Sequence, residues 1–364
     1  MVDLHCSNEK PATAYCSQFL YYSGKRIFMK ATIKAIAYYL PEEKLDNATL
    51  NTLFPEWSVD KISGKTGIFQ RHISAKDEFV SDMAIKASQK LFEENSISPG
   101  SIDFILLCTQ SPDYFLPTTA CIVQDALGIP TSAGALDFNL GCSGYVYGLA
   151  MAKGLVMAGI AKNILLITSE TYSKFIHPKD KSNRTIFGDA ASATLITNGD
   201  GFATILDFEL GTDGKGAKNL IVKKGAVRFP AGDNEEDYVD EFDNVRNDKN
   251  LFMNGAEIFN FTSGAVPGLV KATIEKNSLT TEDIDVYIFH QANKYMLNHL
   301  RKKLDIPEEK FYYFLSNCGN TVSSTIPIAL KEAVQAGGVT KGNKVLLAGF
   351  GVGYSWGGAV LSFE

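Results

Sequence analysis

The chain has 364 residues, 45% of them hydrophobic and 21% charged, with a formal net charge of −6. That length supplies an ample core for one or two domains, and the acidic balance gives a nucleic-acid binder no footing. No run approaches the roughly eighteen apolar residues of a membrane span, and the six cysteines (6, 16, 108, 121, 142 and 318) show neither metal spacing nor a disulfide framework, so a reduced, cytoplasmic setting is the default.

Residues 1–28 are polar and aromatic without a period, and they lack the apolar core of a signal peptide. They are expected to be a dispensable or disordered extension, read from an upstream start codon. The globular signal begins at Met29 with a strand that runs toward Pro41. A helix over Ile85–Ser96 is followed by a strand over Ser101–Leu107, and a further strand covers Ala135–Leu140.

A Gly-Cys-Ser-Gly corner at 141–144 then opens an apolar helix that reaches Ala158. Cys142 in that corner faces the unpaired N–H groups and positive end of the helix. Both favour the thiolate, which is the nucleophile. Because the helix is apolar nearly all round it should be buried, and a nucleophile on a buried helix is held rigidly. Most cysteines simply pack, so the assignment needs company later in the chain.

Residues 232–250 carry Asp233, Glu235, Glu236, Asp237, Asp240, Glu241 and Asp243, and read as a solvated acidic loop. A second helix over Leu269–Ser278 and a strand over Asp285–Phe289 come next. His290 stands at the carboxyl end of that strand, where ligands bind in open α/β sheets. Asn320 lies in a corner before a helix over Ile328–Val334. Gly349–Gly353 superficially suggests a phosphate loop, but a strand and not a helix follows, so it reads as a glycine hairpin that brings backbone close to the site.

An internal duplication ties these pieces together. The helix-then-strand signals place Ile102 and Ile284 182 positions apart, and the Ala-Gly turns place Ala158 and Ala336 178 apart. A shift of 178 carries Asn320 onto Cys142, so the Cys and Asn corners are expected at one place in two copies of one unit. The interface of the two halves is where a pocket should form.

The segments LGCSGYVYGL around Cys142, IFGDAASATLI from Ile186 to Ile196, FHQANKYM around His290, NCGNTVSSTIPIAL around Asn320 and GFGVGYSWGGAVLSF at the end resemble the β-ketoacyl-acyl-carrier-protein synthase III family of thiolase-fold condensing enzymes. The likeness runs from about Met29 to Glu364. It implies an α/β, thiolase-like fold of two duplicated halves packed in layers, with a first half over 29–200 and a second over 201–364. It also implies decarboxylating Claisen condensation of an acyl thioester, on coenzyme A or acyl carrier protein, with malonyl-acyl-carrier protein through an acyl-Cys142 intermediate. Cys142, His290 and Asn320 are the implied catalytic set. The backbone of Cys142 and Val352 is the implied oxyanion hole, Leu116 (reaching across a homodimer) and Phe350 the implied acyl-pocket residues, and no metal or cofactor is called for.

Other family positions transfer with changes. The family's coenzyme A-clamping Trp and Arg fall on Lys61 and Lys65, and a further Arg on Lys181, while Trp57 is out of register. Lysine keeps the charge but loses the stacking plane and the bidentate fork, so an acyl-carrier donor gains ground over coenzyme A. Lys65, Lys181, Asn293 and the run Arg301, Lys302, Lys303 are the implied donor and carrier contacts. Two readings stay open beside condensation. One is a non-decarboxylating acyltransferase on the same scaffold. The other is a cysteine hydrolase with the order Cys, His, Asn, for which the C-G-S-C-[WY] signature is missing.

Overall fold

The computed structural model describes residues 30–364 except 233, 234 and 242, together with the backbone of 20–22 and 25–27. The expected extension over 1–28 lies outside the described residues apart from a short antiparallel pairing of Leu20–Tyr22 with Lys25–Ile27.

Nine strands form one sheet: β1 (Thr32–Tyr39), β2 (Phe104–Cys108), β3 (Gly134–Phe138), β4 (Asn163–Glu170), β5 (Ala190–Thr197), β6 (Ala203–Thr212), β7 (Val286–Phe289), β8 (Lys344–Gly351) and β9 (Ser355–Phe363). Their spatial order is β7-β8-β9-β6-β1-β5-β4-β2-β3. From the centre outward, β1-β5-β4-β2 and β6-β9-β8-β7 repeat one pattern, with two antiparallel pairings and then a parallel one. The fifth strand of the first half, β3, is echoed in the second by a single parallel bridge from Phe311 to Tyr287. The halves join where Ala203 and Thr204 of β6 pair with Ile33 and Thr32 of β1. The duplication inferred from sequence is therefore written into the topology.

The strands alternate their side chains between two cores, as a doubly covered sheet requires. Leu106, Leu166 and Ile196 of the first half and Ile288, Leu347 and Leu361 of the second pack on a shared inner layer. That layer holds two helices, α3 (Gly144–Met157) and α6 (Thr325–Gln335), which contribute Tyr145, Leu149, Ile326 and Leu330. On the outside, Ile105 and Leu107 pack with α1 (Val80–Asn95) and α2 (Thr119–Ala126). On the opposite outside, Phe289 and Leu346 pack with α4 (Gly255–Lys276) and α5 (Lys294–Lys303). The two halves of the one sheet thus pack on a shared helical layer, with further helices on each outer face.

The register of the repeat differs from the expected one near the site. The first residues of the central helices, Gly144 and Thr325, are 181 positions apart. The second helix is three residues shorter, which restores the 178 spacing only at the helix ends, Ala158 and Ala336. Cys142 thus corresponds to Ser323, and Asn320 sits three residues ahead of the cysteine's counterpart. Both corners still lead into the buried central helices.

Candidate active site

A cavity of about 770 Å³ opens beside the central helices, and Cys142, His290, Asn320 and Phe350 all line it. Each arrives by a different route. Cys142 ends the link from β3 to α3, His290 follows β7, Asn320 precedes α6, and Phe350 lies near the end of β8. The parallel strands β7 and β8 deliver His290 and Phe350 together, and their rings meet edge to face at 5.7 Å and 86°.

Cys142 is 6% exposed. The hairpin between β8 and β9 passes so close that a Cβ on Gly351 would lie 2.8 Å from the Cys142 sulfur, and only glycine allows that approach. The same hairpin brings the Val352 N–H to the sulfur, which the N–H of Cys142 itself also reaches. Those donors lower the thiol's pKa, but burial outweighs them. With the nearby Glu170 carboxylate adding to it, burial pushes the thiol up to about 12. Desolvation thus acts against the thiolate that the sequence reading expects at the helix terminus.

His290 is 2% exposed, and burial lowers its pKa to about 3, so the ring is neutral. Its Nδ1 lies 2.8 Å from Thr325 Oγ1, whose hydroxyl is directed at the Val322 carbonyl at 3.0 Å. While that hydroxyl keeps this bond, Nδ1 carries the ring proton and Nε2 presents a lone pair. Turning the Thr325 hydroxyl toward Nδ1 produces the other tautomer. Asn320 holds its own orientation by accepting the Val322 N–H at 2.9 Å on Oδ1, which turns its Nδ2 toward His290 Nε2 at 3.5 Å.

The Asn320 corner is pinned to the first half of the chain. Asn320 N donates to Ile186 O, and Gly188 N donates to Asn320 O. The neighbouring Asp189 is fully buried and accepts four bonds, from the N–H and hydroxyl of both Ser74 and Ser173. The IFGD segment is thus a brace that sets the second half's asparagine against the first half.

Glu170, at the end of β4, was missed by the sequence reading. It is fully buried and accepts bonds from Gln110 N, Ser111 Oγ and Ser323 Oγ, yet burial raises its carboxyl to about 8. Its sequence signal was an acidic residue closing an otherwise apolar strand. Thr325 gave no such signal, because threonine at the start of a helix is ordinary.

The remaining expected positions divide. Lys65 and Asn293 line the cavity. Lys65 places its Nζ 5.6 Å from the Trp57 ring centroid, and Asn293 caps α5 by accepting Met296 N. Lys181 is buried and bound to Glu56 and Asp243, each at 2.7 Å, and it is not among the lining residues. Arg301, Lys302 and Lys303 form the last turn of α5, outside the cavity wall, where Arg301 meets Glu308 and Lys303 meets Ser263. Leu116 is 83% exposed beside Phe115 at 75%, and it does not reach its own chain's cavity.

The acidic stretch is not a merely solvated loop. It forms a hairpin, Tyr238–Val239 with Val245–Arg246, and Asp240, Glu241, Asn244 and Arg246 line the cavity mouth. Arg246 is buried between Asp180 at 2.6 Å and Asp240 at 3.0 Å, and this clamp folds the hairpin onto the site. Among the described residues, no group of three or more His, Cys, Asp or Glu is placed to hold a metal, and no helix is long and apolar enough to cross a membrane.

Known proteins share this sequence and architecture. Residues 136–214 match the model of 3-oxoacyl-[acyl-carrier-protein] synthase III, and residues 274–363 match the model of its C-terminal part. A β-ketoacyl-[acyl-carrier-protein] synthase III of Clostridium perfringens is 38% identical over 89% of this chain and 96% of its own length. One of Clostridioides difficile is 37% identical over 92% and 98%. A solved 3-oxoacyl-(acyl-carrier-protein) synthase III superposes with a TM-score of 0.90 at 49% identity, covering 92% of this chain and all of the other. One from Burkholderia xenovorans gives 0.83 at 34% identity, covering 92% and 94%.

Proposed function

This chain belongs to the 3-oxoacyl-acyl-carrier-protein synthase III family, a group of thiolase-fold condensing enzymes, and from that membership we propose that it is an acyltransferase joining an acyl thioester to malonyl-acyl-carrier protein with loss of carbon dioxide. The observation that carries the reading is the convergence of Cys142, His290 and Asn320 on one cavity from separate parts of the chain.

The acylation step follows from the protonation states. In this reading Cys142 starts as a thiol and His290 as a neutral ring with its lone pair on Nε2. As the sulfur attacks the donor carbonyl, Nε2 takes the thiol proton and passes it to the departing donor thiol. A bond forms from Cys142 sulfur to the acyl carbon, and the donor's carbon–sulfur bond breaks. The oxyanion of the tetrahedral intermediate is held by the N–H groups of Cys142 and Val352, the two that already point at the sulfur. One such donor typically lowers the barrier by about 3 kcal/mol.

In the second step the malonyl thioester loses its carboxylate as carbon dioxide, and negative charge grows on the thioester oxygen. The Asn320 amide donates to that oxygen. His290 Nε2 donates as well once the ring adopts its other tautomer, with the Thr325 hydroxyl turned to Nδ1. The two forms exchange their proton with solvent while the first thiol leaves. The carbanion then attacks acyl-Cys142, the carbon–sulfur bond breaks, and the departing thiolate takes a proton from solvent. Phe350 and, from a second copy, Leu116 shape the acyl pocket.

A homodimer in the cytoplasm is part of this proposal. The edge strand β3 keeps its residues only half buried, and Tyr114, Phe115 and Leu116 project as an exposed apolar ridge nearby in the chain. Burying such a ridge against a second copy removes its apolar surface from water. Carbon dioxide release from malonyl-acyl-carrier protein in the presence of an acyl thioester tests the reading. Release dependent on Cys142 supports it. Acyl transfer to an alcohol or amine with the malonyl unit intact would instead support the non-decarboxylating acyltransferase.

A further inference from the structure

We propose that two buried hydroxyls, on Ser143 and Ser355, hold the oxyanion hole in shape. Ser143 bonds Ser355, Ser355 bonds the Val352 carbonyl, and the Val352 N–H is thereby kept aimed at the Cys142 sulfur, beside which the oxyanion forms. This rests on the acylation of Cys142 proposed above and adds two positioning residues to it.

The two donors of the hole ride on different parts of the fold. The Cys142 N–H belongs to the corner ahead of α3, and the Val352 N–H belongs to the turn between β8 and β9. Such a hole works only when both donors stay within hydrogen-bond reach of one oxygen. The buried helix α3 anchors the cysteine corner. The turn has no such anchor. Val352 stands between Gly351 and Gly353, and Gly353 has a φ of +133°, a region that glycine enters freely. A peptide flanked by glycines can rotate, and a rotated Val352 would carry its N–H away from the sulfur.

Packing brings the turn to the corner, and the hydroxyls fix its orientation. A Cβ on Gly349 would lie 2.8 Å from both Cys142 O and Ser143 Cα, so β8 runs directly against the corner. A Cβ on Gly141 would meet Val352 Cγ1 at 2.6 Å, so the valine side chain rests on the same corner. Ser143 Oγ lies 2.5 Å from Ser355 Oγ, and Ser355 Oγ lies 3.1 Å from Val352 O. A carbonyl only accepts. While this bond stands, Ser355 gives its one hydrogen to Val352 O, and Ser143 supplies the hydrogen between the two hydroxyls. Both serines are buried, and neither lines the cavity. They do not reach substrate, and in that dry position a lost hydroxyl leaves its partner without a bond. Ser143 directly follows the nucleophile, so the pair links the residue after one donor to the carbonyl of the other.

Single-turnover acylation of Cys142 over a range of acyl-thioester concentrations, read by intact-protein mass, tests this in Ser355→Ala, Ser143→Ala and the double variant. Ser355→Ala should lower the limiting acylation rate about tenfold and leave the half-saturating donor concentration unchanged, because the hole acts on the transition state. Ser143→Ala should lower it about threefold, since Ser355 keeps its own bond to Val352 O. The double variant should fall no further than Ser355→Ala, as two groups acting in series require. The melting temperature checks folding, and Ser143→Ala carries the test if Ser355→Ala fails to fold. An unchanged limiting rate in either folded single variant would overturn the proposal while leaving the proposed condensation standing. So would multiplied losses in the double variant, or a rise in half-saturating concentration that matches the fall in rate. A native chain that no acyl thioester acylates would overturn the reading on which the proposal rests.

Discussion

Thr325 Oγ1 lies 2.8 Å from His290 Nδ1 and 3.0 Å from the Val322 carbonyl oxygen. A residue 35 positions further along the chain thereby partners the ring nitrogen whose protonation sets whether His290 Nε2 accepts or donates. Thr325→Val keeps the shape and removes the relay. Carbon dioxide release should fall about tenfold, while Cys142 acylation falls less, because only the second step needs the tautomer with a proton on Nε2. Single-turnover acylation and carbon dioxide release, measured separately, check this. Equal losses in the two steps would remove Thr325 from the role.

Cys142 should behave as a buried thiol and not as a standing thiolate. Its pKa of about 12 makes the thiolate fraction rise about tenfold per pH unit across the neutral range. Alkylation by iodoacetamide should therefore climb from pH 6 to pH 9 without a plateau, each condition being read by the mass of the modified protein. A plateau beginning below pH 7 would show an activated thiolate instead.

Two buried groups set opposite pH slopes on stability. The His290 ring titrates at about 6.5 when unfolded but at about 3 in place. Between those values the unfolded chain holds the extra proton, so stability is full above pH 6.5 and is lost as pH falls, by up to about 1.4 kcal/mol per unit. Glu170 titrates at about 4.5 unfolded and about 8 in place. There the folded chain holds the extra proton, so its contribution is full below pH 4.5 and is lost as pH rises toward 8. Urea titrations of His290→Asn should show a flatter acid limb, and those of Glu170→Gln a flatter limb toward pH 8. Unchanged limbs would contradict the assignment.

Gly351→Ala tests the close approach of the hairpin to the sulfur. The added methyl would sit 2.8 Å from Cys142 Sγ, well inside van der Waals contact. Overpacking of this kind typically costs about 1–3 kcal/mol, and displacing the Val352 N–H should cost a further hundredfold in acylation. Folding by circular dichroism and acylation by mass separate the two effects. Native acylation in this variant would remove Val352 from the oxyanion hole.

Much of the fold was legible because periodicity and duplication are long-range patterns that survive in sequence. Ile102 with Ile284 and Ala158 with Ala336 exposed the repeat, and apolar runs marked β2, β3 and β7. What sequence could not supply was the three-residue shortening of α6, because it is compensated before the next strand.

The site was legible where rare residue types stood at strand ends and helix starts, as with Cys142 and His290. It was illegible where the outcome depends on competing energies. The helix terminus and the burial of Cys142 push its pKa in opposite directions, and the extent of that burial comes from packing that the local sequence does not record. The acidic hairpin misled for a similar reason, since Arg246 in an acidic stretch gives no hint that it is buried between Asp180 and Asp240.

The central claim is that a single sulfur carries the acyl group between two substrates. Intact-protein mass measured after an acyl donor, and again after malonyl-acyl-carrier protein, tests it most directly. The account predicts one acyl increment on the native chain, its disappearance with release of carbon dioxide, and no increment on Cys142→Ala. An increment that persists in Cys142→Ala, or one that malonyl-acyl-carrier protein fails to discharge, would contradict it.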